Sequence, residues 1–169
     1  MDIDGSDIEP DSFDIVFENV DFSYSGKKIL DHISLEIPQN QMTAIVGPSG
    51  AGKTTLCNLI ARFWDIDNGR INIGEHNIKE YSLEALMEQI SMVFQNVYLF
   101  QDTIENNIKF AKPDATHEEV IEAAKKSCCH DFIMSLPEQY KTMIGEGGAS
   151  LSGGERQRIS IARAIIKNA

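Results

Sequence analysis

A glycine-rich stretch at residues 47–55 constrains the fold of this chain more than any other feature. It follows the pattern G-x-x-x-x-G-K-T and consists of Gly47, Pro48, Ser49, Gly50, Ala51, Gly52, Lys53, Thr54 and Thr55. Residues 42–46 form a short apolar run typical of a buried strand, and residues 55–63 carry apolar side chains at helical spacing. A tight turn from a strand into a helix gathers backbone N–H groups around one anion, and the helix N-terminus adds about half a positive charge. The stretch therefore predicts a phosphate-binding turn.

The residue types within this turn indicate which phosphate compound it binds. Glycines allow phosphates to approach the backbone without meeting a side chain. Lys53 is placed to reach the terminal phosphates, and the Thr54 hydroxyl is placed to ligate Mg²⁺. The alternative is an ordinary strand–turn–helix corner that contains a lysine by chance, and nine fitting residues in the right context argue against it. We therefore expect a nucleoside triphosphate with Mg²⁺.

Charge and composition exclude several other classes of protein. The net charge is −11, and residues 1–18 hold seven acidic side chains with no Lys or Arg, so a nucleic-acid partner is not expected. We interpret residues 1–12 as an acidic linker or tail. Three cysteines without a metal-binding spacing favour a reduced cytosolic compartment. No apolar run has the length of a membrane span, so any membrane attachment has to come from another segment or chain.

Further strands and helices are predicted on both sides of the phosphate-binding turn. Besides residues 42–46, alternating or apolar runs predict strands at residues 13–20, 33–37, 69–74 and 90–94. The strands before the turn predict an antiparallel layer. Ser82 is the predicted N-cap of a helix over residues 83–89, and Gln95 follows the last strand. A helical block follows, opened by capping-box patterns at Asp102/Glu105 and Thr116/Glu119, and residues 145–148 are predicted to be a flexible glycine-rich loop.

A second glycine-containing helix start lies near the end of the chain. It consists of Leu151, Ser152, Gly153, Gly154 and Glu155. Ser152 and Glu155 form a capping-box pattern that predicts a helix over residues 153–167. Gly153 and Gly154 each cost up to about 1 kcal/mol relative to Ala in the first helical turn, which suggests that a ligand approaches the bare backbone there. The pattern is therefore either a second phosphate site or an ordinary helix start after a loop.

With both stretches in place, the chain resembles the nucleotide-binding domain of an ATP-binding cassette (ABC) transporter over residues 13–169. Residues 47–55 resemble the Walker A loop, and residues 151–155 resemble the LSGGQ signature with Glu155 in the last place. Gln95 is similar to the Q-loop glutamine, which in the family contacts Mg²⁺ and the site of attack. Tyr24 is similar to the aromatic residue that stacks on adenine. By themselves, Tyr24 and Gln95 would be read as a strand aromatic and a polar strand end.

The resemblance is to the exporter branch of the family. Residues 98–108 are similar to the segment that follows the Q-loop in exporters, and residues 145–148 resemble a loop that touches the membrane domains, with Gly147 where a basic residue is usual. The resemblance implies binding and hydrolysis of ATP with Mg²⁺ on the cytoplasmic face of the membrane, coupled to export. It also implies a head-to-tail dimer, in which the Walker A loop of one domain faces Ser152–Glu155 of a second nucleotide-binding domain. The transmembrane domains of the transporter are the other implied partner.

One expected part of the family pattern is not found in the printed sequence. The resemblance places a Walker B strand, with its Mg²⁺-binding Asp and catalytic Glu, after the signature helix. Residues 97–100 precede Asp102, but this Asp stands one residue late and lies in the helical block, so they do not replace that strand. We therefore expect a truncated chain that binds nucleotide without hydrolysing it, with no catalytic residue of its own and with Gln95 in a supporting role.

The sequence thus predicts an α/β fold of the P-loop NTPase class, with the C-terminal part of its core missing. The expected organisation is an antiparallel β layer and P-loop core over residues 13–95, a helical subdomain over residues 96–150 and the signature helix over residues 151–169. Two other functions stay open: a soluble ABC ATPase of DNA repair or translation, and a nucleotide-binding module that is inert in catalysis.

Overall fold

The computed structural model describes residues 5–148 and 150–169. The chain divides into two compact units, Met1–Ile90 and Ser91–Ala169, which are called the first and second unit below. The predicted boundary between a P-loop core that ends at residue 95 and a helical subdomain that begins at residue 96 stays a prediction.

The first unit is built on a four-stranded sheet. Its strands are β1 (Ile15–Tyr24), β2 (Lys27–Ile37), β3 (Asn68–Ile73) and β4 (His76–Asn77), in the order β2-β1-β3-β4. Every neighbouring pair is antiparallel. Ser25 and Gly26 join β1 to β2 with positive φ angles of 48° and 82°, a conformation that matches the right-handed twist of a two-residue hairpin. The predicted antiparallel layer is confirmed.

Two helices share a hydrophobic core with this sheet. They are α1 (Lys53–Ile60) and α2 (Leu83–Glu88), and Ser82 caps α2 as predicted. The buried side chains of this core are Phe17, Val20, Phe22, Leu30, Leu56, Leu59, Ile71, Ile73, Ile78, Tyr81 and Leu86. The alternating residues of the strands and the i, i+3 residues of α1 therefore point to one interior, and the predicted α/β class is confirmed.

The described part of the acidic start is attached to the first unit and is not a free tail. Ser6 forms a parallel bridge with Tyr81, with hydrogen bonds from Ser6 N to Glu80 O and from Ser82 N to Ser6 O. The Ser82 hydroxyl also donates to Asp7 at 2.8 Å. Backbone pairing is insensitive to side-chain charge, so an acidic composition did not predict this contact.

Two predicted strands do not form, at residues 42–46 and 90–94. Val46 is 87% exposed, and Phe94 is half exposed. A strand is stable only where a neighbouring strand satisfies its N–H and C=O groups, and no strand of the described residues pairs with either run. The apolar composition of these runs therefore indicates a preference for burial, but it does not determine whether they pair as strands or become buried.

The second unit is helical. Its helices are α3 (Ile104–Lys109), α4 (His117–Lys126), α5 (His130–Ser135) and α6 (Gly153–Lys167), with 3-10 turns at Gln139–Lys141 and Glu146–Gly148. The buried residues of its core include Leu99, Ile104, Ile108, Val120, Ile133, Ile144 and Ile159. Part of the predicted flexible loop at residues 145–148 is thus a 3-10 turn.

The predicted helix starts agree with the structure at Ser82, Thr116 and Ser152 and differ at Asp102. The capping boxes at Thr116 and Ser152 are confirmed, since each hydroxyl and its partner glutamate exchange hydrogen bonds with the backbone. The box predicted at Asp102 is wrong, because Thr103 caps α3 by accepting from Asn106 N at 3.1 Å. Asp102 instead accepts from the backbone N–H of Thr103 at 2.7 Å.

Buried Asn107 of α3 and half-buried Arg163 of α6 hold the loop before α3 against the last helix. Asn107 is 1% exposed, and its side-chain amide pairs with both backbone groups of Phe100 and with Thr103 O. Arg163 of α6 donates to Asn107 O at 2.9 Å and to Asn107 Oδ1 at 3.0 Å. Its guanidinium also lies over the rings of Phe100 and Phe110 at 5.5 and 5.4 Å. One amide therefore organises the loop before α3.

Within the described residues, no helix combines the length and the apolar character that crossing a bilayer requires.

Replacement of Asn107 by Leu is expected to destabilise the second unit by about 2–4 kcal/mol, because buried hydrogen-bonding groups lose their partners. The measurement is urea denaturation followed by circular dichroism. The matched control is Asn106→Leu, since Asn106 is exposed and bonds only to Asp102 and the Thr103 cap. Equal stability losses in the two variants would refute the role assigned to Asn107.

Candidate functional site

The predicted phosphate-binding turn is an exposed loop that leads into α1. Residues 47–51 are exposed, and Gly52 is the buried N-cap of the helix. Gly50 and Gly52 have φ angles of 81° and 85°, the left-handed region that favours glycine. A Cβ atom on Gly52 would lie 2.8 Å from Leu30 Cδ2, whereas one on Gly50 would meet no atom within 4 Å. Gly52 is therefore required by packing, and Gly50 leaves the concave side of the loop open.

Helix α1 begins with neither a capping side chain nor an acid. No side chain accepts a hydrogen bond from its first turn, and that turn contains no acidic residue. By contrast, α2, α3, α4 and α6 each begin with a capping Ser or Thr and carry an acid in the first turn, and α5, which also lacks a capping side chain, carries an acid there. The first N–H groups of a helix have no partner inside the helix, and its dipole favours negative charge at that end. The start of α1 is thus suited to an external anion.

Lys53 holds its ammonium group over the same loop. Its Nζ donates to Gly47 O at 2.9 Å and to Pro48 O at 2.7 Å. These acceptors are neutral carbonyls, and phosphate oxygens form stronger charge-assisted bonds with an ammonium group. Thr54, the predicted Mg²⁺ ligand, is exposed, whereas Thr55 is 7% exposed and packs in the core. Lys53 and Thr54 are therefore available to a ligand, and Thr55 has a structural position.

Tyr24, the predicted adenine contact, lies at the end of β1 in the same unit as the loop. Its ring is half-buried and makes edge contacts with Phe22 at 4.7 Å and with Trp64 at 5.3 Å between centroids. Trp64 follows α1 and is 52% exposed. The sequence analysis did not select Trp64, because an aromatic residue after a helix has no distinguishing spacing.

The second glycine-containing helix start closes its own capping box. Ser152 N donates to Glu155 Oε2 at 2.7 Å, and Glu155 N donates to Ser152 Oγ at 3.3 Å. The backbone hydrogen bond from Ser152 is the main cause that lowers the pKa of the Glu155 carboxyl below its ordinary value. These bonds use the N–H groups of Ser152 and Glu155 and do not involve those of Gly153 and Gly154.

Neither packing nor backbone conformation requires glycine at the first two positions of α6. A Cβ atom on Gly153 would lie 4.0 Å from Arg156 Nη2, and one on Gly154 would lie 3.6 Å from Arg158 Nη1, which are ordinary contacts. Both glycines are exposed and have ordinary helical φ angles. Two glycines lower the stability of the helix relative to alanine, and no contact among the described residues offsets this loss. This favours contact between the bare backbone and a group outside the chain.

Arg156 supports this helix start and was not identified from the sequence. Its Nη1 donates to Leu151 O at 2.7 Å and to Gly148 O at 3.4 Å. Gly148 has a φ of 77°, and a Cβ atom there would lie 2.6 Å from Arg156 Cδ. The preceding 3-10 turn is thus tied to the first turn of α6 through one side chain.

Gln95, the predicted Q-loop residue, is exposed in the second unit. It lines a cavity of about 210 Å³ together with Asn96, Val97, Gly153, Arg156 and Gln157. The structure therefore brings Gln95 and Gly153, one of the signature residues, to one cavity of the second unit, and it places Tyr24 and the phosphate-binding turn in the first.

One cluster of possible metal ligands occurs among the described residues, formed by Asp21, Asp31 and His32. Lys28 Nζ lies 3.0 Å from Asp21 Oδ1 and also pairs with Asp31. The backbone N–H of His32 and then Lys28 hold the pKa of Asp21 below its ordinary value. The ammonium group supplies the positive charge that a metal ion would bring. We therefore interpret this cluster as an ion-pair network that stabilises the β1–β2 hairpin.

Comparison with known proteins gives a consistent result. The sequence profile of the ABC transporter family matches residues 30–169. An ATP-dependent lipid A-core flippase of Desulfotalea psychrophila is 49% identical over 166 residues, which are 98% of this chain and 29% of that protein. ABC transporter B family member 24, mitochondrial, of Arabidopsis thaliana is 49% identical over 155 residues, 91% of this chain and 23% of that protein.

A solved structure agrees with these relatives. A bacterial Atm1-family ABC exporter with ATP bound superposes with a TM-score of 0.94 and is 40% identical, covering 98% of this chain and 29% of that chain. The chain thus spans less than a third of the length of each of these proteins.

The Glu155 carboxylate makes the stability of α6 depend on pH. Because the folded-state pKa is lowered, its contribution is fully present above the ordinary value of 4.5 and is lost as the pH falls through the lower folded value. We expect Glu155→Gln to be less stable than the wild type at pH 7 by about 0.5 kcal/mol, with the difference vanishing in strong acid.

Urea denaturation of both proteins between pH 7 and pH 3 measures this difference. The matched control is Glu138→Gln, which changes an exposed glutamate outside the capping box. A difference between wild type and Glu155→Gln that stays constant with pH would contradict the assignment.

Proposed function

Because this chain belongs to the ABC transporter family, we propose that it is the ATP-binding portion of a membrane exporter. In the whole protein, ATP binding and hydrolysis would drive movement of a substrate across the membrane. The observation that carries this proposal is the start of α1, which is the uncapped, acid-free end of a helix behind an open glycine loop. An anion with several charged oxygens satisfies that arrangement best.

The first unit supplies the groups that hold the triphosphate. The N–H groups at the start of α1 bind phosphate oxygens, and the Lys53 ammonium exchanges its loop carbonyls for the terminal phosphates. Tyr24 stacks on the base. Mg²⁺, when bound, would neutralise charge on the phosphates, and the Thr54 hydroxyl of this unit is the group proposed to hold it.

The second unit supplies a different anion-binding surface. Gly153 and Gly154 present bare backbone at the start of a helix whose cap is already complete. We propose that residues 151–155 close over the triphosphate held by the Walker A loop of a second nucleotide-binding domain. Closure of such a pair converts binding energy into movement of the transmembrane domains, because the closed dimer binds ATP more tightly than the open one.

Export is the favoured direction of transport. The relatives compared above include a lipid A-core flippase and an Atm1-family exporter, and the match to each extends over almost the whole chain. The soluble ABC ATPase of DNA repair or translation is not favoured, because these relatives are transporters and the net charge of −11 does not favour a nucleic-acid partner.

Replacement of Lys53 by Ala is expected to abolish ATP binding, because the phosphates lose the Lys53 ammonium group that lies over the loop. Isothermal titration calorimetry with Mg-ATP measures the affinity. The matched control is Lys79→Ala, since Lys79 is an exposed lysine of the same unit outside the site. An unchanged titration for Lys53→Ala would refute the assignment of the loop.

Replacement of Ser152 by Arg in the full-length transporter is expected to spare ATP binding and to block ATP-driven pairing of the nucleotide-binding domains. The long cation would occupy the space in front of Gly153 that the partner's triphosphate needs. Light scattering of the isolated pair of domains, or cross-linking of the transporter, measures pairing.

The matched control is Ser135→Arg, which adds the same long cation at an exposed serine of the second unit outside residues 151–155. It should leave pairing intact. Unaltered pairing in Ser152→Arg, or equal loss in both variants, would count against contact between this helix start and a partner.

A further inference from the structure

Three aromatic rings of the first unit form a row from the core to the surface. Phe22 is 2% exposed, Tyr24 is half-buried and Trp64 is 52% exposed. The centroids of Phe22 and Tyr24 lie 4.7 Å apart with an interplanar angle of 88°, and those of Tyr24 and Trp64 lie 5.3 Å apart at 85°. Tyr24 is thus held between two rings, each nearly perpendicular to it.

The inner end of this row is connected to the phosphate-binding turn. The Cβ position of Gly52 lies 2.8 Å from Leu30 Cδ2, and Leu30 is the partner of Phe22 in the register of β1 and β2. Contacts therefore run from the N-cap of α1 through Leu30 and Phe22 to Tyr24. A ligand whose phosphates lie on the loop has these aromatic residues in the same unit.

The exposure of Trp64 is not explained by the fold. Tryptophan has a large apolar surface, and it is usually well buried when it serves packing alone. Here half of the Trp64 side chain is exposed, and its ring makes an edge contact with the ring of Tyr24. Two perpendicular rings form a corner in which a planar heteroaromatic ring stacks on one and touches the other, the two arrangements that aromatic rings prefer.

We propose that Trp64 is a specificity-determining residue of the nucleotide site, forming with Tyr24 an aromatic corner that takes the base. This inference rests on the proposed ATP-binding function. The corner favours a nucleoside triphosphate over a bare triphosphate, because only the former carries a ring to stack. It also favours purines over pyrimidines, since the larger ring system covers more aromatic surface.

The test compares two probes, Mg-ATP and Mg-tripolyphosphate, by isothermal titration calorimetry on the full chain. Trp64→Leu is expected to bind Mg-ATP about tenfold more weakly, the loss typical of one stacking contact. Its affinity for tripolyphosphate should stay at the wild-type value. Trp64→Phe keeps an aromatic ring and should recover most of the ATP affinity. The matched control Phe13→Leu replaces an exposed aromatic residue of the same unit that is 42% exposed, and it should behave like the wild type.

A second measurement needs no substitution. Trp64 is the only tryptophan of the chain, so its fluorescence reports on this position alone. ATP is expected to quench or shift the emission of the wild type, and tripolyphosphate at saturating concentration is expected to leave it unchanged.

Several results would overturn the inference, and they separate it from the proposed function. Wild-type ATP affinity in Trp64→Leu, or an equal loss for ATP and tripolyphosphate, would remove Trp64 from the base site. If either occurs while Lys53→Ala still abolishes binding, the proposed function stands and only the aromatic corner fails. A wild-type chain that binds neither probe would overturn the proposed function and this inference together.

Discussion

The candidate site depends on the N–H groups at the start of α1, which no side chain caps. Glycine at the N-cap provides the left-handed turn and close packing against Leu30, but it provides no side chain that accepts a hydrogen bond. A first turn without an acid or a cap is unfavourable by itself, and a bound polyanion removes this cost. In the proposed site, the same choice of residues lowers the stability of the free helix start and favours a phosphate group there. Lys53 follows the same logic: without a ligand its ammonium group bonds to the neutral carbonyls of Gly47 and Pro48, and a phosphate would be a stronger partner.

At the start of α6, side chains of the protein itself satisfy part of the N–H groups of the first helical turn. Ser152 and Glu155 satisfy each other's backbone N–H groups, and Arg156 ties the preceding turn to the helix. This helix start is therefore stable without a ligand, and Gly153 and Gly154 stay free to contact one. A site that is complete before binding suits a surface that engages and releases a partner's ligand repeatedly, since little reorganisation accompanies each contact.

The strands beside the phosphate-binding turn show the limits of composition as a guide. Residues 42–46 are apolar enough for a buried strand, yet Met42 and Val46 are exposed. Burial and pairing are properties of neighbours, and no described strand lies beside this run. The antiparallel layer forms because β1 and β2 are joined by a two-residue turn and find each other locally. The α/β class was predictable for that reason, whereas the state of residues 42–46 was not.

The sequence by itself determined the features that depend on a few neighbouring residues: the glycine turn, the Ser82 cap, and the capping boxes at Thr116 and Ser152. The sequence alone did not decide whether Asp102 or Thr103 caps α3, because both residues fit the local pattern. Only the tertiary structure decided which distant groups meet. The contacts of Asn107 with Arg163 and of Tyr24 with Trp64 join residues 40 or more positions apart. Such contacts are set by how whole elements pack, and no local spacing encodes them.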